Sequence, residues 1–194
     1  TMKTKTIELY TFEELPEDIQ EDVLDKYRDI NVEVEWWDYD GKTGFNSTEI
    51  KKYRLDMEYS DDLLDYKKIY FDCGQGWYIQ FVDAEFKHDE TARKFLGVPK
   101  SLWDQVEWTI NDQPHRETST RLEYESGYAR DYRDFTPKQK AILDRAVERF
   151  SDKMEEALKG LRETYEYLCT DDAVKDTIII NEYTFTIGGK MDNG

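Results

Sequence analysis

A chain of 194 residues in which forty-four Asp and Glu stand against twenty-seven Lys and Arg carries a formal charge of −17. Self-repulsion on that scale keeps a protein soluble and opposes its approach to phosphate backbones and anionic lipid; direct nucleic-acid binding and membrane association are excluded as expectations, and a basic protein surface is favoured as a partner. Only 38% of the residues are hydrophobic, yet fourteen Tyr, nine Phe and five Trp are too many aromatics for a solvated tail, so the expectation is one domain, residues 1–194, with a small core of large aromatic area.

The chain opens with Thr6-Ile7-Glu8-Leu9-Tyr10, whose alternation of polar and apolar side chains predicts a half-buried strand that opens a sheet. Thr11 stands where an N-cap belongs, Glu14 follows three residues later as in a capping box, and Pro16 is tolerated in a first turn. A helix is therefore predicted from Glu13 or Pro16 to Asp29. Ile19, Val23, Leu24 and Tyr27 recur at helical spacing as its buried stripe. Residues three and four apart are neighbours on a helix surface, so Glu14, Asp18, Glu21 and Asp25, flanked by Glu17 and Asp22, predict a row of closely spaced carboxylates. Such a row can imitate a phosphate strand and attract a groove built from Lys and Arg. The competing reading is a solvated face that only maintains solubility. Trp36 and Trp37, followed by Asp38, add aromatic anchors of the kind favoured at binding hot spots, although Trp is also core material.

From Val32 to Asp65 the pattern predicts a loop, with a strand at Tyr53 to Tyr59. Asp38-Tyr39-Asp40-Gly41 has alternate carboxylates before a glycine, as in a calcium loop, but that alignment places Trp36 at the first ligand and Ser47 where a bidentate Glu belongs. No metal or other cofactor is expected. Asn46-Ser47-Thr48 is read as a chance match to the glycosylation pattern. The clearest hairpin is Lys68 to Asp72 with Trp77 to Val82, joined across Gly74 and Gly76. Helices are predicted from His88 to Leu96 and Lys100 to Asp104, broken by Gly97 and Pro99, and strands from Val106 to Asn111 and Ser119 to Glu125. His88 beside Asp83, Glu85 and Asp89 matches no known ligand spacing, and His115 lies in a polar loop.

Thr136 and Pro137 start the longest periodic segment, a helix of about thirty residues. Its stripe is Ile142 or Leu143, Val147, Phe150, Met154, Leu158, Leu161, Tyr165 and Leu168, and Gly160 within it, at a cost of roughly 1 kcal/mol relative to Ala, is read as a kink or a site of close packing. The stripe is expected to pack on the sheet, with a homodimer seam as the alternative. A short helix from Asp171 to Ile178, a strand from Tyr183 to Ile187 and a frayed Gly-rich tail complete the chain. Together these elements predict an α+β fold: an antiparallel sheet of hairpins with helices, including one long amphipathic helix, packed on one face. Cys73 and Cys169 lack paired spacing, Thr1 to Tyr10 has no apolar h-region, and no eighteen-residue apolar run occurs; the expected setting is reducing cytoplasm. No nucleophile elbow, phosphate-binding loop or Cys-His signature stands out, and a non-enzymatic role is expected.

Two stretches carry a resemblance: Leu9 to Leu15 through Asp25-Lys26-Tyr27-Arg28-Asp29-Ile30-Asn31 to Trp36-Trp37-Asp38, and Tyr165 to Leu168 through Asp171-Asp172-Ala173-Val174 to Asn181-Glu182-Tyr183-Thr184-Phe185. They resemble a family of small acidic proteins of phages, prophages and their bacterial hosts that are often labelled antitoxin-like. The family pattern continues helically after the Trp pair, whereas Gly41 and Gly44 interrupt it here. The resemblance implies an accessory protein acting in the cytoplasm of a bacterial host, and it implies no catalytic residues. By analogy with other phage accessory proteins, the expected function is a protein-binding inhibitor of a nucleic-acid-handling defence protein, of anti-CRISPR or anti-restriction type. An antitoxin that neutralises a basic toxin, or an enzyme or ligand binder with a site hidden in the fold, are the alternatives.

Overall fold

In the computed structural model, residues 7–33, 63–73, 76–112, 118–126 and 135–192 are described. The chain divides into two compact units, a terminal one made of Thr1–Trp36 with Glu163–Gly194 and a central one made of Trp37–Arg162.

In the terminal unit, β1 (Tyr10–Thr11) pairs antiparallel with β8 (Thr184–Phe185), Tyr10 opposite Phe185. The predicted opening strand thus begins pairing only at its last described residue, Tyr10, and a 3-10 turn follows at Phe12. Pro16 has an extended ψ of 148°, so α1 runs from Glu17 to Lys26 and the capping residues Thr11 and Glu14 serve the preceding turn instead. The α5 helix (Asp171–Ile180) is capped by Thr170, whose hydroxyl accepts from the Ala173 N–H at 3.4 Å. Phe12, Leu15, Val23, Val174, Ile178 and Phe185 form the buried core between these elements. The Tyr27 ring packs on Phe185 with centroids 6.0 Å apart.

The Gly-rich tail is not frayed over its described part, contrary to expectation. Gly189 adopts a φ of +73°, a left-handed conformation that glycine enters without strain, and this lets the chain reverse. The Gly189 N–H donates to the Thr186 carbonyl at 2.9 Å, the Thr186 N–H to Lys190 at 2.9 Å, and the Asp192 N–H to Thr184 at 2.8 Å. Met191 then bridges Phe185 and donates its N–H to the Tyr27 hydroxyl at 2.9 Å.

The central unit contains β2 (Leu64–Asp65), β3 (Lys68–Asp72), β4 (Tyr78–Val82), β5 (Glu85–Phe86), α2 (Asp89–Leu96), α3 (Lys100–Trp103), β6 (Val106–Asp112) and β7 (Thr120–Ser126). Its hairpins β3–β4 and β6–β7 fall where the alternation predicts them. A parallel bridge between Ile79 and Thr118 joins the two hairpins, and the Phe81 N–H donates to the Thr120 hydroxyl at 2.8 Å. The fold is α+β, and among the described residues the strands form four antiparallel pairs. The short β1–β8 pair lies in the other unit, and no alternation announces the two-residue β2–β5 pair.

The long helix α4 spans Pro137–Leu168 without a break at Gly160. It opens on a capping box. Gln139 Oε1 accepts from the Thr136 N–H at 2.9 Å, while the Gln139 N–H donates to the Thr136 hydroxyl at 3.3 Å. Leu143, Ala146, Phe150, Met154, Leu158 and Leu161 are buried, so the stripe that offered a dimer seam is covered within the chain. Phe150 meets Phe86 edge-on at 6.2 Å, within an aromatic series that continues through Trp103, Trp108, Tyr124 and Phe135.

Candidate functional site

The acidic helix α1 owes its position to its apolar side. Val23 is fully buried, Ile19 and Leu24 are half-buried, and Glu17, Asp18, Glu21, Asp22 and Asp25 are left exposed on the other side. Tertiary packing must hold this helix, because like charges at i,i+4 oppose it. Glu17 with Glu21, Asp18 with Asp22 and Glu21 with Asp25 are three such pairs, each costing roughly 0.2–0.5 kcal/mol in isolated helices. Glu17 and Asp18 lie in the first turn, where the helix dipole favours them; Glu21, Asp22 and Asp25 lie beyond that benefit.

The row is shorter than the sequence suggests. Glu14 belongs to the 3-10 turn, where its carboxylate accepts from the Thr11 N–H at 2.8 Å and from the Thr11 hydroxyl at 2.9 Å. These bonds, the backbone one foremost, lower its pKa below the ordinary glutamate value and give it a structural role. Asp25 is held by Arg28 at 2.5 Å. Glu17, Asp18, Glu21 and Asp22 have no ion-pair partner among the described residues. Trp36, Trp37 and Asp38 lie outside the described residues, as do Asp40, Gly41 and His115.

Arg28 extends the surface in a way no local pattern announces. Its guanidinium also pairs with Asp171 at 3.0 Å and donates to the Cys169 carbonyl at 3.0 Å. The hydrogen bond to Asp25 and then the pairing with Asp171 raise its pKa, and the guanidinium bridges the end of α1 and the start of α5. Asn31 completes the clamp: its Nδ2 donates to the Leu168 carbonyl at 2.9 Å, and its Oδ1 accepts from the Thr177 hydroxyl at 2.6 Å. Carbonyls at the end of α4 are thus satisfied by two side chains from the segment after α1. Asp171, Asp172 and Asp176 are exposed on α5. Across its described residues the terminal unit holds seventeen acids (Asp and Glu) against four bases (Lys and Arg), a net −13.

Elsewhere the chemistry is sparse. His88 is exposed at the start of α2, and among the described residues no group of three or more His, Cys, Asp or Glu could hold a metal. Cys73 and Cys169 form no disulfide among the described residues. Two open clefts of about 210 and 200 Å³ lie in the central unit, one where Leu102 faces Ile142 and the other beside Phe95 and Arg149; His88 lines neither. No helix among the described residues is long and apolar enough to cross a membrane. In comparisons with known proteins, no family model, curated protein or solved structure matches the chain.

Proposed function

We propose that the protein is a phage- or prophage-encoded inhibitor that docks its acidic terminal unit on the nucleic-acid-binding surface of a host defence protein, of anti-CRISPR or anti-restriction type. The observation that carries this reading is the set of four carboxylates on α1, Glu17, Asp18, Glu21 and Asp22, exposed and without an ion-pair partner among the described residues. Acids that repel one another along a helix cost stability, and a surface retained against that cost is suited to a partner that supplies the missing cations. Lys and Arg arranged to hold a phosphate backbone would meet this face by the same attraction, and steering would speed the encounter.

The test is capture from a host lysate at low and high salt, comparing the natural chain with the variant Glu17→Lys, Asp18→Lys, Glu21→Lys, Asp22→Lys. The expected product is a nucleic-acid-binding protein, displaced by duplex DNA, released as salt rises and absent with the variant. Retention by the variant would show that α1 is not the contact. A captured basic protein that arrests growth when expressed alone would favour the antitoxin alternative, which uses the same surface.

A further inference from the structure

The terminal unit also concentrates exposed apolar surface. Of the eight large hydrophobic side chains that stand exposed among the described residues, six belong to it: Ile7, Leu9, Tyr167, Ile179, Ile180 and Ile187. Two of them are consecutive on α5. That helix turns Ala173, Val174 and Ile178 inward and leaves Ile179 40% and Ile180 66% exposed. At about 3.6 residues per turn, Ile179 lies nearly opposite the middle of the buried stripe, on the same face as Asp172, Lys175 and Asp176. Ile180 lies about 100° further round the helix, one turn beyond Asp176, so the two isoleucines border a face whose charged neighbours are Asp172, Lys175 and Asp176. Exposed apolar side chains with a charged surround have the anatomy of an interface centre, where desolvated side chains supply affinity and the charged rim supplies orientation.

Charge selects the occupant. A second copy would bring another unit of net −13 against the first, and nucleic acid or anionic lipid would meet the same repulsion. A surface that is apolar at its middle and basic around it is complementary to both parts. We propose that Ile179 and Ile180, beside Asp172, Lys175 and Asp176 on a unit of net −13, are the apolar anchor by which the protein seats in a basic-rimmed apolar groove of its protein partner. This inference rests on the acidic-surface reading above and adds to it that binding is not purely electrostatic.

Two labelled peptides of equal length and equal lysine content serve as probes for the full-length chain. One carries leucines along a single helical face between the lysines, and the other carries serines at those positions. The natural chain is expected to bind the leucine peptide about tenfold more tightly than the serine peptide, the order of magnitude of burying one isoleucine. The double variant Ile179→Ser, Ile180→Ser is expected to abolish that preference while binding the serine peptide as before. Ile179→Thr, Ile180→Thr keeps the branched side chains should the serine variant unfold, and the same loss is expected. Equal binding of the two peptides by the natural chain, or a preference that survives in a folded variant, would overturn the anchor. So would a dimer in sedimentation that the substitutions dissolve, since the occupant would then be a second copy. Serine-peptide binding that persists in the four-lysine variant of α1 would instead defeat the acidic-surface reading, so the two failures are distinguishable.

Discussion

Gly189 lies against the acidic helix, and a Cβ built there would stand 3.0 Å from Val23 Cγ2 and 3.2 Å from Ile19 Cγ2. Its φ of +73° penalises any side chain in addition. Gly189→Ala is therefore expected to destabilise by about 1–3 kcal/mol. Gly188→Ala, with nothing within 4 Å of the added atom, should leave the urea midpoint nearly unchanged. Tyr124 gives a second test at this scale. Burial first, and then its 2.7 Å hydrogen bond to the Asp144 carboxylate, push its pKa up to about 12. An unfolded tyrosine loses its proton near pH ~10. The raised value therefore contributes stability that is complete below that pH and is lost as pH rises toward 12. Tyrosinate absorbance should contain a late-ionising phase, to which Tyr10, raised by its hydrogen bond to Glu8, also contributes, and Tyr124→Phe should remove the Tyr124 part of that phase and its share of the alkaline loss of stability.

At the scale of the element, α1 has sequence features that oppose helix formation and tertiary features that hold it. Its like-charge neighbours weaken it, while Val23 is driven into the core beside Phe185 and Ile178. Glu21→Lys replaces repulsion from Glu17 and Asp25 by attraction and should raise the melting temperature by about 2–4 °C at low salt. The gain should shrink as salt screens the pairs, and differential scanning calorimetry at two ionic strengths would measure it. A melting temperature that falls would mean that Glu21 has a structural partner. The segment Asp25 to Asn31 has a different task. Tyr27, Arg28 and Asn31 bind the tail, the start of α5 and the end of α4, so this segment is a set of structural clamps. The carboxylates proposed for docking precede it on α1.

At the scale of the whole molecule, most regular elements among the described residues could be read from local signals. Thr136 with Pro137 announced the start of α4, Gly97 and Pro99 separated α2 from α3, and alternation marked the two long hairpins. The same kind of signal misled at Thr11 and Glu14, a true capping box that serves a 3-10 turn because Pro16 takes an extended conformation. The candidate surface was legible as exposed carboxylates on α1, whereas the contribution of α5 was not: Arg28 and Asp171 are remote in sequence and meet only because Val23, Val174 and Ile178 share a core. Charge, helical period and capping chemistry depend on residues a few positions apart, so the sequence alone determined an acidic α+β chain with one long helix and an acidic helix near its beginning. Which units the strands joined, that the Gly-rich tail folds back onto α1, and that the chain's two ends build one acidic unit with exposed isoleucines were decided by the tertiary structure. Those outcomes follow from burial of apolar faces brought together across more than a hundred residues, and no local pattern encodes that choice.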